Sequence, residues 1–500
     1  MHPSESTTRY WPRDDLDRCT AFPIPGAVDH RHFRYPVTSC SRLGPALGQG
    51  RLGPVRAVVS IVVGELHHLI RAKPLSRIVF LLVLWLASGP LSGIEAPSPL
   101  PSPPNSASST GEFLRWFWER PLAEQGTLAI SPDLPDPPLV PEACGLCHAS
   151  QYGDWMGSRH AHAMGAGAIG QFFDMSEAER QACLDCHAPL QEQSETLTEY
   201  IEDSMWAEPA SQDHATATPT KNRPLHERGV ICGACHIRAG RWYGPPRRGE
   251  SLPPEDLGAL PHHGWVSSDA FEDSRFCAAC HQFPPDGFRL DGKLIENTYE
   301  EWRASPQARL GVQCQTCHMP DRRHLFRGIH DPETVRGGVN AGSESFSIAE
   351  GTIRVLVFLT NTATGHRLPT YVTPEIRLEA YQTDIDGEAI PDTKQIRWVA
   401  RKVSLDLGKE YFDTRLAPGE TATLAYRKPL SRRADTLVAR IYVEPDALYS
   451  RIYQALLELS PDGEGSPLIR KALAESKRSG FSLYEKHYPI PKGRHGEQEP

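Results

Sequence analysis

CGLCH at 144–148, CLDCH at 183–187, CGACH at 232–236, CAACH at 277–281 and CQTCH at 314–318 are five copies of one pattern. Each has two cysteines three positions apart and a histidine directly after the second. Together they use ten of the chain's 12 cysteines: Cys144 and Cys147, Cys183 and Cys186, Cys232 and Cys235, Cys277 and Cys280, and Cys314 and Cys317. The histidines are His148, His187, His236, His281 and His318. The other two cysteines, Cys19 and Cys40, lie far upstream. First cysteines follow one another at 39, 49, 45 and 37 residues, an irregular array rather than a strict repeat.

Cys-x-x-Cys-His is the attachment signature of c-type haem: the thiols bond to the haem vinyl groups and the adjacent histidine gives iron an axial nitrogen. A zinc site also uses cysteine pairs, but it gives no reason for a histidine after every pair. Disulfides suit an exported chain, and they leave the five histidines unexplained. The pattern therefore predicts five covalently attached haem c groups, with the ten cysteines binding the cofactor and the five histidines on iron. The array runs for 175 residues, or 35 per haem. With so little protein per cofactor, the haems form much of the core.

Each iron takes a second axial ligand or keeps an open position. Between the first motif and residue 366 the other histidines are His160, His162, His214, His226, His262, His263, His324, His330 and His366. The methionines there are Met156, Met164, Met175, Met205 and Met319. Methionine would raise the potential; the abundance of histidine predicts bis-histidine, low-potential haems. His160 stands 12 residues after His148, about 18 Å along a continuous helix, so it is expected to serve a different haem. His160 and His162 differ by about 200° around a helix, so at most one faces a given iron. His214, in a polar stretch, reads as surface.

Several stretches resemble known multihaem proteins. Cys144 to His148, followed by Gln151, Tyr152, Trp155 and Ser158-Arg159-His160-Ala161, is similar to the opening of the multihaem cytochrome c family around the tetrahaem cytochrome of nitrifying bacteria. The resemblance implies His160 as a distal ligand. The lead-in from His226 to Cys232 resembles that family's His-x-x-Gly-Val-x-Cys, implying His226. The stretch from Gly311 to Pro320 is similar to the last haem site of pentahaem nitrite reductases. One of His324 and His330 is implied as a ligand, and His330 is the choice here. Gly365 to Thr370 resembles a Gly-His-x-x-Pro-Thr motif and implies His366, which would clamp the C-terminal region onto the haem array. With His263 these complete the expected set: His160, His226, His263, His330 and His366. The likeness covers residues 140 to 480. The Cys-x-x-Cys-Lys haem of the nitrite reductases is missing, which disfavours their chemistry. Nothing suggests the tyrosine cross-link or the extra haems of hydroxylamine oxidoreductases.

Outside the array the chain divides by composition. Residues 1–70 have no sustained period and read as a misplaced start or a disordered extension. Within 71–95, Arg71, Lys73 and Arg77 precede an apolar run, Ile78 to Ala87, and small residues follow. This reads as a cleaved secretory signal or an uncleaved membrane anchor. Residues 96–112 are a Pro/Ser-rich linker. The haem domain is placed at 113–344, opening with the aromatic cluster Phe113 to Trp118 packed on it. Short strands at 353–359, 376–381, 396–403, 421–426 and 437–443 predict a β-sandwich-like domain at 345–445. Helices at 447–459 and 466–478 and a tail fill 446–500. The fold class is therefore α+β: a mainly helical or irregular multihaem domain, then a β-sandwich-like domain and C-terminal helices.

A net charge of -9 gives no sign of a nucleic-acid partner. These features predict a periplasmic or extracellular electron-transfer protein, possessing no substrate chemistry of its own, that serves redox partner proteins such as a membrane quinol-oxidising complex. The alternative is an oxidoreductase acting on a small nitrogen or sulfur compound at one open haem, with Arg275, Arg322 or Arg323 handling charge. A third reading is a subunit of a larger assembly.

Overall fold

The computed structural model describes residues 109–125, 139–206, 223–248 and 264–491. The extension, the signal or anchor, most of the linker, Cys19, Cys40, His214, His262 and His263 lie outside the described residues.

The N-terminal half consists of short helices: α1 (Thr110–Phe117), α2 (Pro141–Gly145), α3 (Ala149–Met156), α4 (Ala166–Phe172), α5 (Glu177–His187), α6 (Gln191–Trp206), α7 (Cys232–His236), α8 (Arg275–His281), α9 (Thr298–Arg303), α10 (Pro306–Arg309), α11 (Cys314–His318) and α12 (Pro332–Gly338). Local signals start several of them. Ser109 and Ser176 open α1 and α5 with capping boxes, answered by Glu112 and Glu179. Asp331 caps α12 through the Thr334 amide. Four of the five motifs end a helix at their histidine. The first is split instead: α2 stops at Gly145, and His148 caps α3.

The periodicity of Tyr152, Trp155, Met156 and Arg159 predicts one helix, but α3 ends at Met156 with Gly157 as its cap. Arg159 and His160 follow in a turn. The continuous-helix distance from His148 to His160 therefore does not apply.

Aromatic residues of α1 pack on the motif helices as expected. Phe117 is wholly buried and meets Tyr243, Phe271 and Phe276 edge-on or tilted. The buried guanidinium of Arg238 lies 4.1 Å from the Phe117 ring centre and 4.8 Å from that of Trp118.

Small strands, β1 (Ile237–Arg238), β2 (Arg241–Gly244), β3 (Val266–Ser267), β4 (Arg289–Leu290) and β5 (Lys293–Leu294), connect these helices. From Val339 most of the chain is extended. It forms β6 (Val339–Ala349), β7 (Thr352–Asn361), β8 (Glu375–Thr383), β9 (Gln395–Val403), β10 (Glu410–Asp413), β11 (Thr421–Pro429), β12 (Thr436–Glu444) and β13 (Phe481–Pro489). One antiparallel sheet has the order β11-β7-β6, the other β10-β9-β8-β12-β13. Alternate residues share one core, with Ile353, Val355, Val357 and Leu359 of β7 packed among Ile376 and Leu378 of β8 and Leu437, Ala439 and Ile441 of β12.

Helices α13 (Ala447–Leu459) and α14 (Ser466–Arg478) lie between β12 and β13. The reading of 446–500 as helices and tail omits β13, which pairs along β12 from Thr436 opposite Pro489 to Val443 opposite Phe481. The β6, β10 and β13 strands are partly exposed, so their apolar alternation is weak in sequence. Helix α14 packs on α4 because two glycines let the backbones touch; a Cβ on Gly465 would sit 1.9 Å from the Gly170 carbonyl oxygen. No helix among the described residues is long and apolar enough to cross a membrane.

Candidate functional site

Cysteines at i and i+3 and a histidine at i+4 share one face of a single helical turn. Helices α5, α7, α8 and α11 therefore present both thiols and the imidazole together. None of the ten motif cysteines is joined in a disulfide. Thiols of different motifs meet: Cys144 with Cys232, Cys186 with Cys280, and Cys277 with Cys314. Arg120 donates to the Cys280 sulfur at 3.2 Å. Hydrogen bonds from Cys186 and Arg120 pull the Cys280 thiol down to about 7, against its burial. The thiol contacts thus gather the motifs in two groups, the first with the third, and the fourth with both the second and the fifth.

Four of the motif imidazoles are oriented through Nδ1. His187 is held by the Ala163 carbonyl at 2.7 Å, His236 by that of Tyr243 at 2.8 Å, and His318 by that of Arg327 at 2.6 Å. His281 is held by the Tyr371 hydroxyl at 2.8 Å. An anchored Nδ1–H leaves Nε2 as the free donor of electrons.

Three motif histidines each face a histidine from elsewhere in the chain. The ring centres of His281 and His160 are 6.2 Å apart, those of His236 and His324 are 6.2 Å apart, and those of His318 and His366 are 6.4 Å apart. A first-row metal–imidazole bond is ~2.0 Å, so one ion between two rings puts their centres about 6 Å apart. Among the described residues no group of three or more His, Cys, Asp or Glu side chains could hold a metal ion. Two imidazoles per position suit a metal whose other four donors come from a macrocycle, and the adjacent thiol pairs suit its covalent attachment. The residues therefore fit haem c.

Burial, with the neighbouring histidines adding to it, pushes the His160 imidazole down to about 3 and that of His281 to about 4. His236 is likewise pushed to about 4. Such rings are neutral, the form that binds metal.

The outer partners come from three places. His160 sits in the turn after α3, against Phe326 at 4.3 Å, and Phe326 also meets the edge of His324. The Arg322 carbonyl holds Nδ1 of His324 at 3.0 Å. His366 projects from the β7–β8 loop, its Nδ1 held by the Arg367 carbonyl at 2.8 Å. Buried Asn361 braces that loop by donating to the carbonyls of His366 and Leu416. Glu301 of α9 accepts from the Arg367 amide, the Thr370 hydroxyl and Arg415, fastening the loop to the motif helices.

His226 is fully buried, with Nδ1 beside the Thr196 hydroxyl and, among the described residues, no partner for Nε2. An orphaned buried nitrogen costs about 1–3 kcal/mol, which a metal bond would remove. His330 does not face a motif histidine. Its Nε2 lies 2.9 Å from Asp446 Oδ1, and the position opposite His236 goes to His324. His263 lies outside the described residues. Exposed His162 is bonded through Nδ1 to the Ser158 carbonyl. Arg275, Arg322 and Arg323 pair with Asp273, Glu272 and Asp154. Sequence reasoning passed over Tyr371 and Arg120, which carry no motif of their own.

Residues 143–209 match the family model described as cytochrome c554 and c-prime. A curated relative, cytochrome c-552 of Aliarcobacter butzleri (strain RM4018), is 27% identical over 145 residues, 28% of this chain. The match spans about a quarter, 26%, of that relative's length. Among solved structures the chain is similar to a penta-heme cytochrome c552 from Thermochromatium tepidum, at a TM-score of 0.47 and 19% identity, covering 70% of this chain and 98% of that one.

Proposed function

We propose that this chain, a member of the multihaem c-type cytochromes, carries electrons through five covalently attached haems held mainly by pairs of histidines. The observation that supports this reading best is the recurrence of one ring separation, 6.2–6.4 Å, at His281–His160, His236–His324 and His318–His366. In this reading His226 and His263 serve the irons of His148 and His187. When bound, haem c supplies the one-electron couple. The protein's own groups do the rest. Backbone carbonyls fix the imidazoles of His187, His236 and His318, and Tyr371 fixes that of His281; burial keeps His160, His236 and His281 neutral, and two nitrogens per iron would exclude substrate. Contacts between motif thiols would keep the first and third, the second and fourth, and the fourth and fifth cofactors close, which suits electron passage.

The chain acts outside the cytoplasm, as the basic and apolar run at 71–95 suggests, and exchanges electrons with redox proteins, a membrane quinol-oxidising complex among them. The test is absorption and EPR spectroscopy on the haem-loaded protein. Five low-spin haems inert to cyanide, nitrite and hydroxylamine are expected. One high-spin haem that takes up such a ligand would overturn the reading in favour of catalysis at that iron.

A further inference from the structure

His281 is held differently from its neighbours. His187, His236 and His318 give Nδ1–H to backbone carbonyls, which cannot titrate. His281 gives it to the hydroxyl of Tyr371, on the β7–β8 loop. That hydroxyl meets Thr298. The Thr298 hydroxyl lies 2.7 Å from Glu296 Oε1, and its amide donates to the same oxygen at 3.2 Å. It also lies 2.8 Å from the Thr370 hydroxyl, which donates to Glu301. The hydroxyls of Tyr371 and Thr298 thus line the space between a motif imidazole and a carboxylate. The Thr298 hydroxyl serves either direction of hydrogen bonding. With Glu296 ionised, the Thr298 hydroxyl donates to Glu296. With Glu296 protonated, its hydroxyl donates to Thr298, and Thr298 turns to Thr370.

We propose that Glu296 is a proton-binding site coupled, through Thr298 and Tyr371, to the redox state of the iron held by His281. Glu296 takes up one proton from water as that iron gains one electron from a neighbouring haem or an electrode, and releases it on oxidation. No covalent bond to carbon or sulfur changes. The charges facing Glu296 are few. Glu301 of α9 opposes its ionisation; Arg415, between β10 and β11, favours it. Arg415 is committed to Glu301 and Asp413, and Arg367 stands beside Glu301 on the loop. Tyr371 and, beyond it, Tyr449 of α13 are the other titratable groups on this side. Burial pushes the Glu296 carboxyl up to about 7, so it titrates where a coupled electron carrier would use it.

The inference rests on the proposed pairing of His281 with His160 across an iron. The experiment is an EPR-monitored redox titration of the holoprotein between pH 5 and 9. One haem is expected to lose potential as pH rises through 7. Glu296→Gln flattens that dependence with all haems still low-spin, Thr298→Val also abolishes it while retaining the carboxylate, and Glu296→Asp restores it. A slope that persists in Glu296→Gln, or in Thr298→Val where the glutamine variant does not load haem, overturns the coupling. So does a wild type in which no potential moves between pH 6 and 8. The resting EPR spectrum reads the histidine pairing separately: a high-spin haem at His281 counts against the proposed function, whereas pH-independent potentials count only against this proposal.

Discussion

His318, at the end of the last motif helix, and His366, on a loop between two β-strands, face each other with ring centres 6.4 Å apart and planes 16° apart. They are 48 positions apart in the chain. In the proposed reading, the loop between β7 and β8 therefore completes the last haem site. His366→Ala should convert one haem to high-spin and let it bind carbon monoxide, leaving the others unchanged. Glu301→Gln, which weakens the loop's attachment, should give a smaller high-spin fraction at the same haem. EPR and carbon monoxide difference spectra read both.

His324 and His330 separate cleanly by environment. His324→Ala should open the iron of His236 and add one haem's worth of high-spin signal. His330→Ala should leave every haem low-spin and cost about 1 kcal/mol by losing its bond to Asp446. Spectra and thermal unfolding of the two variants, side by side, test this. A high-spin haem in His330→Ala would reverse the assignment.

Asp413 and Glu296 predict opposite responses to pH. Burial opposes ionisation of Asp413, but Arg415 and Lys293 outweigh it and hold the carboxyl well below the usual range. A depressed folded-state value contributes stability above the unfolded value of ~3.9, lost as pH falls. Asp413→Asn should thus lower Tm at pH 7 and flatten the acid limb below about pH 4.

Glu296 has the opposite sign. Its folded-state value is raised to about 7, so the folded state binds the proton more tightly than the unfolded chain. The associated stability is present below about pH 4 and is lost as pH rises towards 7. Glu296→Gln should be more stable than wild type at pH 8, by up to about 3 kcal/mol, with little difference at pH 4. Denaturant unfolding at the two pH values measures it.

Arg238 is buried and donates to the carbonyls of Phe117 at 2.5 Å and Ala234 at 2.8 Å. It ties α1 to the third motif. Arg238→Ala should cost about 3 kcal/mol, since it leaves carbonyls unpaired and loses the two ring contacts. Arg238→Lys should recover only part, because an ammonium lacks the planar fork. Thermal unfolding and tryptophan fluorescence report the loosening.

Sequence alone marked five Cys-x-x-Cys-His units as the candidate attachment sites, because covalent chemistry demands two thiols and an imidazole within one helical turn. It also located β7, β8, β9, β11 and β12, whose buried faces carry runs of apolar residues, and both C-terminal helices. Its silence about β6, β10 and β13 has a physical cause: their partial exposure relaxes that pattern. Tertiary structure decided what the spacing of residues could not. Packing of a turn, a short loop and a β-sheet corner brings His160, His324 and His366 opposite His281, His236 and His318. The same packing turns His330 toward Asp446 and places Tyr371 beside His281. A ligand five or fifty positions from its motif obeys no local period, so only the folded chain selects it.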